Sequence, residues 1–288
     1  MTMAFLHLSV VGWNISSFPC QKSYLRRRRK HPFAKPAVSC ILEGTHLVEA
    51  ARHTVDTYVK SGMVVGLGSG RASCLVIEYL GRQLREGKLT DILGIPMSVS
   101  SASEAAKAGI PLDQYPNSLQ IDFAFDDADV IEEGTLTAVI GRRKLEGGES
   151  IIQEKHIVKV ASKLAFITSA KQYTKNPDGS IPVLVNTGNW METAEEIDDL
   201  FLGDAEVWRR PAWGYAGPTG GDFPLVTREG HNVLDLIFTS PIQNLIQVAE
   251  SLDEIDGVVD HGVVSGVPCT AIIASEDGVQ IVDNLFQL

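Results

Sequence analysis

The chain has no apolar run approaching the roughly 18 to 20 residues that a membrane-crossing helix requires. Even the stretch between Phe5 and Phe18 is broken by His7 and Asn14. Its four cysteines form no CxxC pair and no metal-ligand spacing. Cys20 and Cys40 lie near the N-terminus, and Cys74 and Cys269 fall in an expected helix and strand, so they read as thiols of a reducing compartment and not as a disulfide framework. The seven histidines are scattered, which leaves a zinc site or a catalytic triad without support. Acidic residues are absent before Glu43, while Lys22, Arg26 to Arg29, Lys30 and Lys35 give that leader seven cations. The net charge of −11 therefore conceals −18 over residues 43–288, a balance that argues against nucleic acid as a partner of the folded body.

The same leader mixes Ser with apolar residues, carries an Arg cluster and ends in the small-residue run Ala37-Val-Ser-Cys40. That composition reads as an organelle transit peptide over residues 1–42, with the plastid favoured over the mitochondrion. The Arg run alone also fits a nuclear-import patch. The rest of the chain, in a sequence that is 44% hydrophobic overall, is long enough for one large or two modest domains.

What is present is organised around Val64 to Ser73, VVGLGSGRAS. Apolar residues Met63 to Val65 predict a buried strand, Gly66 to Gly70 a tight loop, and Ala72 to Arg85 the helix that follows. Glycines let a backbone approach an anion, and the first helical turn presents unpaired N–H groups at the positive end of its dipole. A Gly-rich turn also serves simply to reverse a chain. The dinucleotide fingerprint fails because Arg71 stands where its third Gly belongs, and the P-loop fails because no Gly-Lys-Ser/Thr follows. A small phosphorylated ligand, bound at Ser69, Gly70, Arg71 and Ala72, fits this stretch better.

Before it, Glu43 to Lys60 has helical spacing and Ser61-Gly62 stops it. After it, Ile92 to Val99 predicts a strand, Ser100 to Ser103 opens a helix, and Leu119 to Phe125 predicts a strand delivering Asp126, Asp127 and Asp129 at its carboxyl end, where open α/β sheets bind ligands. A helix over Glu149 to Ala161 carries Glu154 and Lys155, and the strand Leu164 to Thr168 ends at Ser169-Ala-Lys171. This is the α/β, doubly wound pattern with a mostly parallel sheet. From Ile181 the expected order becomes strand, helix, strand at Ala205 to Arg210, hairpin over Leu225 to Phe238, helix and strand, close to the ferredoxin-like β-α-β-β-α-β unit. A smaller α+β lid domain over 181–264 is thus expected to be inserted into an α/β domain of residues 43–180 and 265–288.

A carboxylate base with nearby cations suits proton transfer beside a carbonyl, as in aldose–ketose isomerisation, which requires no redox cofactor or metal. From Gly44 to Asn284 the chain resembles type A ribose-5-phosphate isomerase, through GLGSG, VSSASEAAKAGI, DDAD, EGG followed by QEK, SAKQ and LVTREGHNVLDL in that order. The resemblance implies that Glu154 is the general base shuttling a proton between C1 and C2, that Asp126 and Asp129 hold sugar hydroxyls and assist ring opening, and that Lys171 is the lysine of the family's SKQ motif. It implies interconversion of D-ribose 5-phosphate and D-ribulose 5-phosphate, a reaction of the pentose phosphate pathway and the Calvin cycle, in a homo-oligomer without a cofactor. The departures are specific. A family lysine ahead of the glycines is replaced by Leu145, leaving Lys144 as substitute beside Gly147 and Gly148; DGAD has become DDAD, adding Asp127 to the sugar-phosphate site; and a Ser-Thr pair has become Arg71-Ala72. A relative that binds a phosphorylated metabolite with weak or no turnover is the alternative.

Overall fold

The computed structural model describes residues 38–113, 120–142, 151–213 and 223–284. Helix α1 (Val38–Tyr58) leads into β1 (Val64–Leu67), α2 (Arg71–Arg85), β2 (Leu93–Pro96), α3 (Val99–Ala108) and β3 (Phe123–Asp127). The short strands β4 (Val130–Glu132) and β5 (Ala138–Val139) precede α4 (Ile151–Val160), β6 (Leu164–Ser169) and β7 (Tyr173–Thr174). Then come β8 (Ser180–Asn186), α5 (Trp190–Leu200), β9 (Ala205–Arg209), β10 (His231–Phe238), α6 (Leu245–Asp253) and β11 (Val258–His261). The strands β12 (Val263–Val264), β13 (Cys269–Ser275) and β14 (Gly278–Asn284) complete the order.

The main sheet runs β14-β13-β6-β3-β1-β2, and every pairing in it is parallel except β13 with β14. Its parallel part has the doubly wound order 2-1-3-4-5, which reverses direction between β1 and β3 and opens a crevice at their carboxyl ends. These central strands are short and almost wholly apolar because both faces are covered. On one face α1, α2 and α3 pack Val55, Val76, Ile77, Leu80 and Ala105 against Phe123, Phe125 and Ile272. On the other, Ile151, Ile157 and Val158 of α4 meet Ala124, Phe166 and Ile273.

The inserted unit has the expected order. Its sheet, β11-β8-β10-β9, is antiparallel throughout, with α5 and α6 closing a separate core around Val183, Leu234, Leu236, Ile197 and Leu245. The expected hairpin over 225–238 is reduced to one bridge, Val226 to Asn232. Both edges of β10 are taken by β8 and β9, so residues 225–227 can only cap its start.

Other boundaries differ for local reasons. Helix α1 begins at Val38, ahead of the expected Glu43. Strand β3 starts at Phe123, and just ahead of it the Asp122 carboxylate accepts the Val64 N–H at 2.8 Å while the Asp122 N–H donates to the Val64 carbonyl at 3.0 Å. It extends through Asp126 and Asp127, which pair in register with Phe166 and Ile167 of β6. A third sheet, β12-β5-β4-β7, had no counterpart in the sequence reading.

Candidate functional site

The loop after β1 closes onto the end of β3. The Ser69 N–H donates to Asp126 Oδ1 at 2.8 Å, and the Asp127 N–H donates to the same oxygen at 2.9 Å. A Cβ on Gly68 would stand 2.3 Å from the Phe125 carbonyl oxygen, so only glycine permits this approach. Gly70 caps α2 with φ 128°, a conformation that L side chains rarely adopt. Asp126 is fully buried, and the two donated N–H groups compensate part of the cost of burying it.

The Ser69 hydroxyl donates to Ser98 Oγ at 2.7 Å, joining this loop to the next helix start. Ser98 and Ser101 form a capping box at the N-terminus of α3, with Ser98 Oγ accepting from Ser101 N at 3.0 Å and Ser101 Oγ from Ser98 N at 3.0 Å. Such a cap contributes about 1 kcal/mol and holds the helix entry at the sheet edge.

Asp127 occupies the first turn of α2. Its Oδ1 accepts from Ser73 N and Ser73 Oγ, both at 2.7 Å, and its Oδ2 accepts from Ala72 N at 2.9 Å. The stretch Ser69 to Ala72, expected to cradle an anion, lies at the start of α2, and the amides of Ala72 and Ser73 there are bonded to the chain's own carboxylate. Arg71, first residue of α2, is exposed. Its Nη2 would stand 3.3 Å from a Cβ on Gly44, so the guanidinium lies along α1.

Asp129 faces a different group. Its Oδ2 accepts the Arg142 N–H at 2.8 Å, which fixes the backbone two residues ahead of Lys144. Arg142 itself donates through Nε to the Ser180 carbonyl and through Nη2 to the Asp178 carbonyl, each at 2.6 Å. Burial lowers the pKa of its guanidinium. Lys144, Leu145, Gly147 and Gly148 lie outside the described residues.

Glu154 is 4% exposed in α4. Its helix is aligned by two contacts: Gln153 Nε2 donates to the Pro96 carbonyl at the end of β2, at 2.9 Å, and Ile157 lies against Gly66 and Ala124 in β1 and β3. Residues three apart share a helix face, so Glu154 sits one turn from Ile157, toward the strands' carboxyl ends. Lys171 is exposed in the turn after β6. Beside it Gln172 accepts from Ser169 N at 3.1 Å and Ser169 Oγ at 2.7 Å, and donates to the Ala128 carbonyl at 3.0 Å. Gln172 thus ties the turns after β6 and β3 together, a role signalled only by its place in SAKQ.

Ser69, Ala72, Asp126 and Asp127 therefore form one hydrogen-bonded group at the β1/β3 crevice, with Glu154 on the helix covering it. Sequence reasoning missed Ser73, Ser98, Arg142 and Gln172. Among the described residues no group of three or more His, Cys, Asp or Glu is arranged to hold a metal ion, and no helix is long and apolar enough to cross a membrane.

This architecture and its residues have close parallels. The family profile of ribose 5-phosphate isomerase A (phosphoriboisomerase A) matches residues 93–278. Ribose-5-phosphate isomerase A of Gluconobacter oxydans is 35% identical over 240 residues, covering 82% of this chain and 95% of that one. Probable ribose-5-phosphate isomerase 3, chloroplastic, of Arabidopsis thaliana is 30% identical over 285 residues, covering 97% of this chain and 98% of that protein. Among solved structures, ribose 5-phosphate isomerase from Plasmodium falciparum superposes with a TM-score of 0.73 at 27% identity, covering 84% of this chain and 100% of that one.

Proposed function

Because the chain belongs to the ribose 5-phosphate isomerase A family, we propose that it interconverts D-ribose 5-phosphate and D-ribulose 5-phosphate through an enediol. The observation that carries this reading is the convergence of the Gly66 to Gly70 loop and the Asp126 carboxylate on the β1/β3 crevice, beneath a helix that buries Glu154.

In this reading Glu154 removes the proton from C2 of the opened aldose and returns it to C1. Its buried setting keeps water from competing for that proton. Asp126, already anchored by the Ser69 and Asp127 amides, and Asp129 receive sugar hydroxyls and assist ring opening. Negative charge develops on the two enediolate oxygens, and Lys144 and Lys171 are the cations assigned to it. The Leu145 replacement removes one aligned donor, so turnover is expected to be slow but real.

The reading extends to location and assembly. A plastid destination is supported by the acid-free, Arg-rich leader and by similarity over 97% of the chain to a relative named chloroplastic. Homo-oligomerisation is supported by the exposed apolar side chains of Leu202, Trp213 and Phe223.

The experiment is a coupled assay of the purified full-length chain with D-ribose 5-phosphate, following ketose formation. Turnover that rises linearly with enzyme is the expected result. Binding of the sugar phosphate without ketose formation would overturn the catalytic reading.

A further inference from the structure

The positive end of α2 already holds an anion, and that anion belongs to the chain. Asp127 accepts two backbone N–H groups and one hydroxyl there, from Ala72 and Ser73. It is not a loop residue that happens to fold over. Asp127 is the last residue of β3, registered against Ile167 of β6, and its own N–H is held by Asp126. The carboxylate is thus delivered to the helix start by the rigid frame of the sheet.

We propose that Asp127 is a specificity-determining residue: an internal stand-in for the ligand's phosphate, which admits a phosphate to the α2 amides only by being displaced. This inference rests on the isomerase reading above, in which the phosphate is expected at Ser69 to Ala72. The competition is stoichiometric. An N–H has one hydrogen to donate, so the Ala72 and Ser73 amides bonded to Asp127 cannot serve a phosphate oxygen at the same time. A phosphate brought beside an undisplaced carboxylate also meets a like charge close to the low-dielectric helix end. Among the described residues of this turn, the exposed Arg71 at the helix start is a cation placed to attract the incoming anion. The DGAD of the resembling family carries glycine at this position, which would leave the seat open.

The competing account is that Asp127 merely caps α2. Two variants of the full-length chain separate the accounts: Asp127→Gly, which empties the seat, and Asp127→Asn, which keeps the side chain's size and removes its charge. The measurements are the dissociation constant for inorganic phosphate by calorimetry, the KM and kcat for D-ribose 5-phosphate, and the melting temperature with and without phosphate. The expected result is that Asp127→Gly binds inorganic phosphate about tenfold more tightly than the wild type, with KM for the sugar phosphate falling in parallel. Asp127→Asn should lie between the two. Phosphate should also raise the melting temperature of both variants more than that of the wild type. If both variants melt earlier with no gain in phosphate affinity, Asp127 is only a cap and the inference is overturned. Should Asp127→Gly fail to fold, an Asp127→Asn protein with wild-type phosphate affinity overturns it equally. The isomerase reading fails separately: absence of ketose formation by every form, with phosphate affinity gained in the variants, would sink that reading and leave the role of Asp127 standing.

Discussion

The Lys155 ammonium lies 2.5 Å from Asp260 Oδ1 and 2.7 Å from the His261 carbonyl oxygen, so the residue directly after Glu154 is tied to β11 of the inserted unit. Lys155 is 4% exposed, and burial lowers its pKa while the Asp260 charge opposes that shift. The helix carrying the proposed base is thereby held against the ferredoxin-like sheet.

Lys155→Met is expected to destabilise the protein by about 2 to 3 kcal/mol. That is below the cost of breaking a fully buried pair, because the unpaired carboxylate can turn to water. The Asp260 side chain is 23% exposed. Urea unfolding measures the loss, and adding Asp260→Leu should recover part of it. An unchanged midpoint in the single variant would show that the pair contributes nothing net.

His261 adds a pH dependence of defined sign. Burial, followed by the Lys155 charge, depresses its imidazole from 6.5 to about 4, against the opposing charges of Asp253 and Asp260. The unfolded chain therefore takes up this proton at higher pH than the folded one. This group leaves stability constant above about pH 6.5, and lowers it progressively as pH falls from 6.5 toward 4. His261→Gln should flatten that stretch of the profile of urea midpoint against pH; equal slopes in both proteins would assign the effect elsewhere.

Glu154→Gln keeps the shape of a buried side chain and removes its basicity. It is expected to lower kcat by about 100- to 10,000-fold with little change in KM, and to leave the far-ultraviolet dichroism intact. Retained turnover would mean that another group moves the proton.

Lys144 and Leu145 test the oxyanion side of the reaction. A donor aimed at developing charge typically lowers a barrier by about 2.7 to 4 kcal/mol. Lys144→Ala should cut kcat, and Leu145→Lys should raise it above the wild-type value. Indifference to both changes would assign the stabilisation to Lys171.

The strand, glycine loop and helix around Val64 to Ser73 were legible in sequence because each rests on local chemistry: an apolar run, residues free to turn, and helical spacing. The order of the inserted unit was legible for the same reason. The resemblance supplied the roles of Glu154, Asp126 and Lys171, which their places on helix and strand ends do not single out. The two-residue strands β5 and β7 left no trace, since pairs such as Ala138-Val139 are too short to carry a period and form only when a partner strand meets them, whereas the single strand expected over Gly257 to Val264 is divided between β11 and β12. The resemblance marked Asp127 only as a carboxylate added to the sugar-phosphate site. What it bonds was decided by folding, which brings β3 to a helix start 54 and 55 residues earlier in the chain. Lys155 reads locally as a surface lysine beside a glutamate, and only packing against β11, 105 residues away, makes it buried and paired. Local propensity is written in neighbouring residues, whereas the partner of a charge is set by which distant elements share a core.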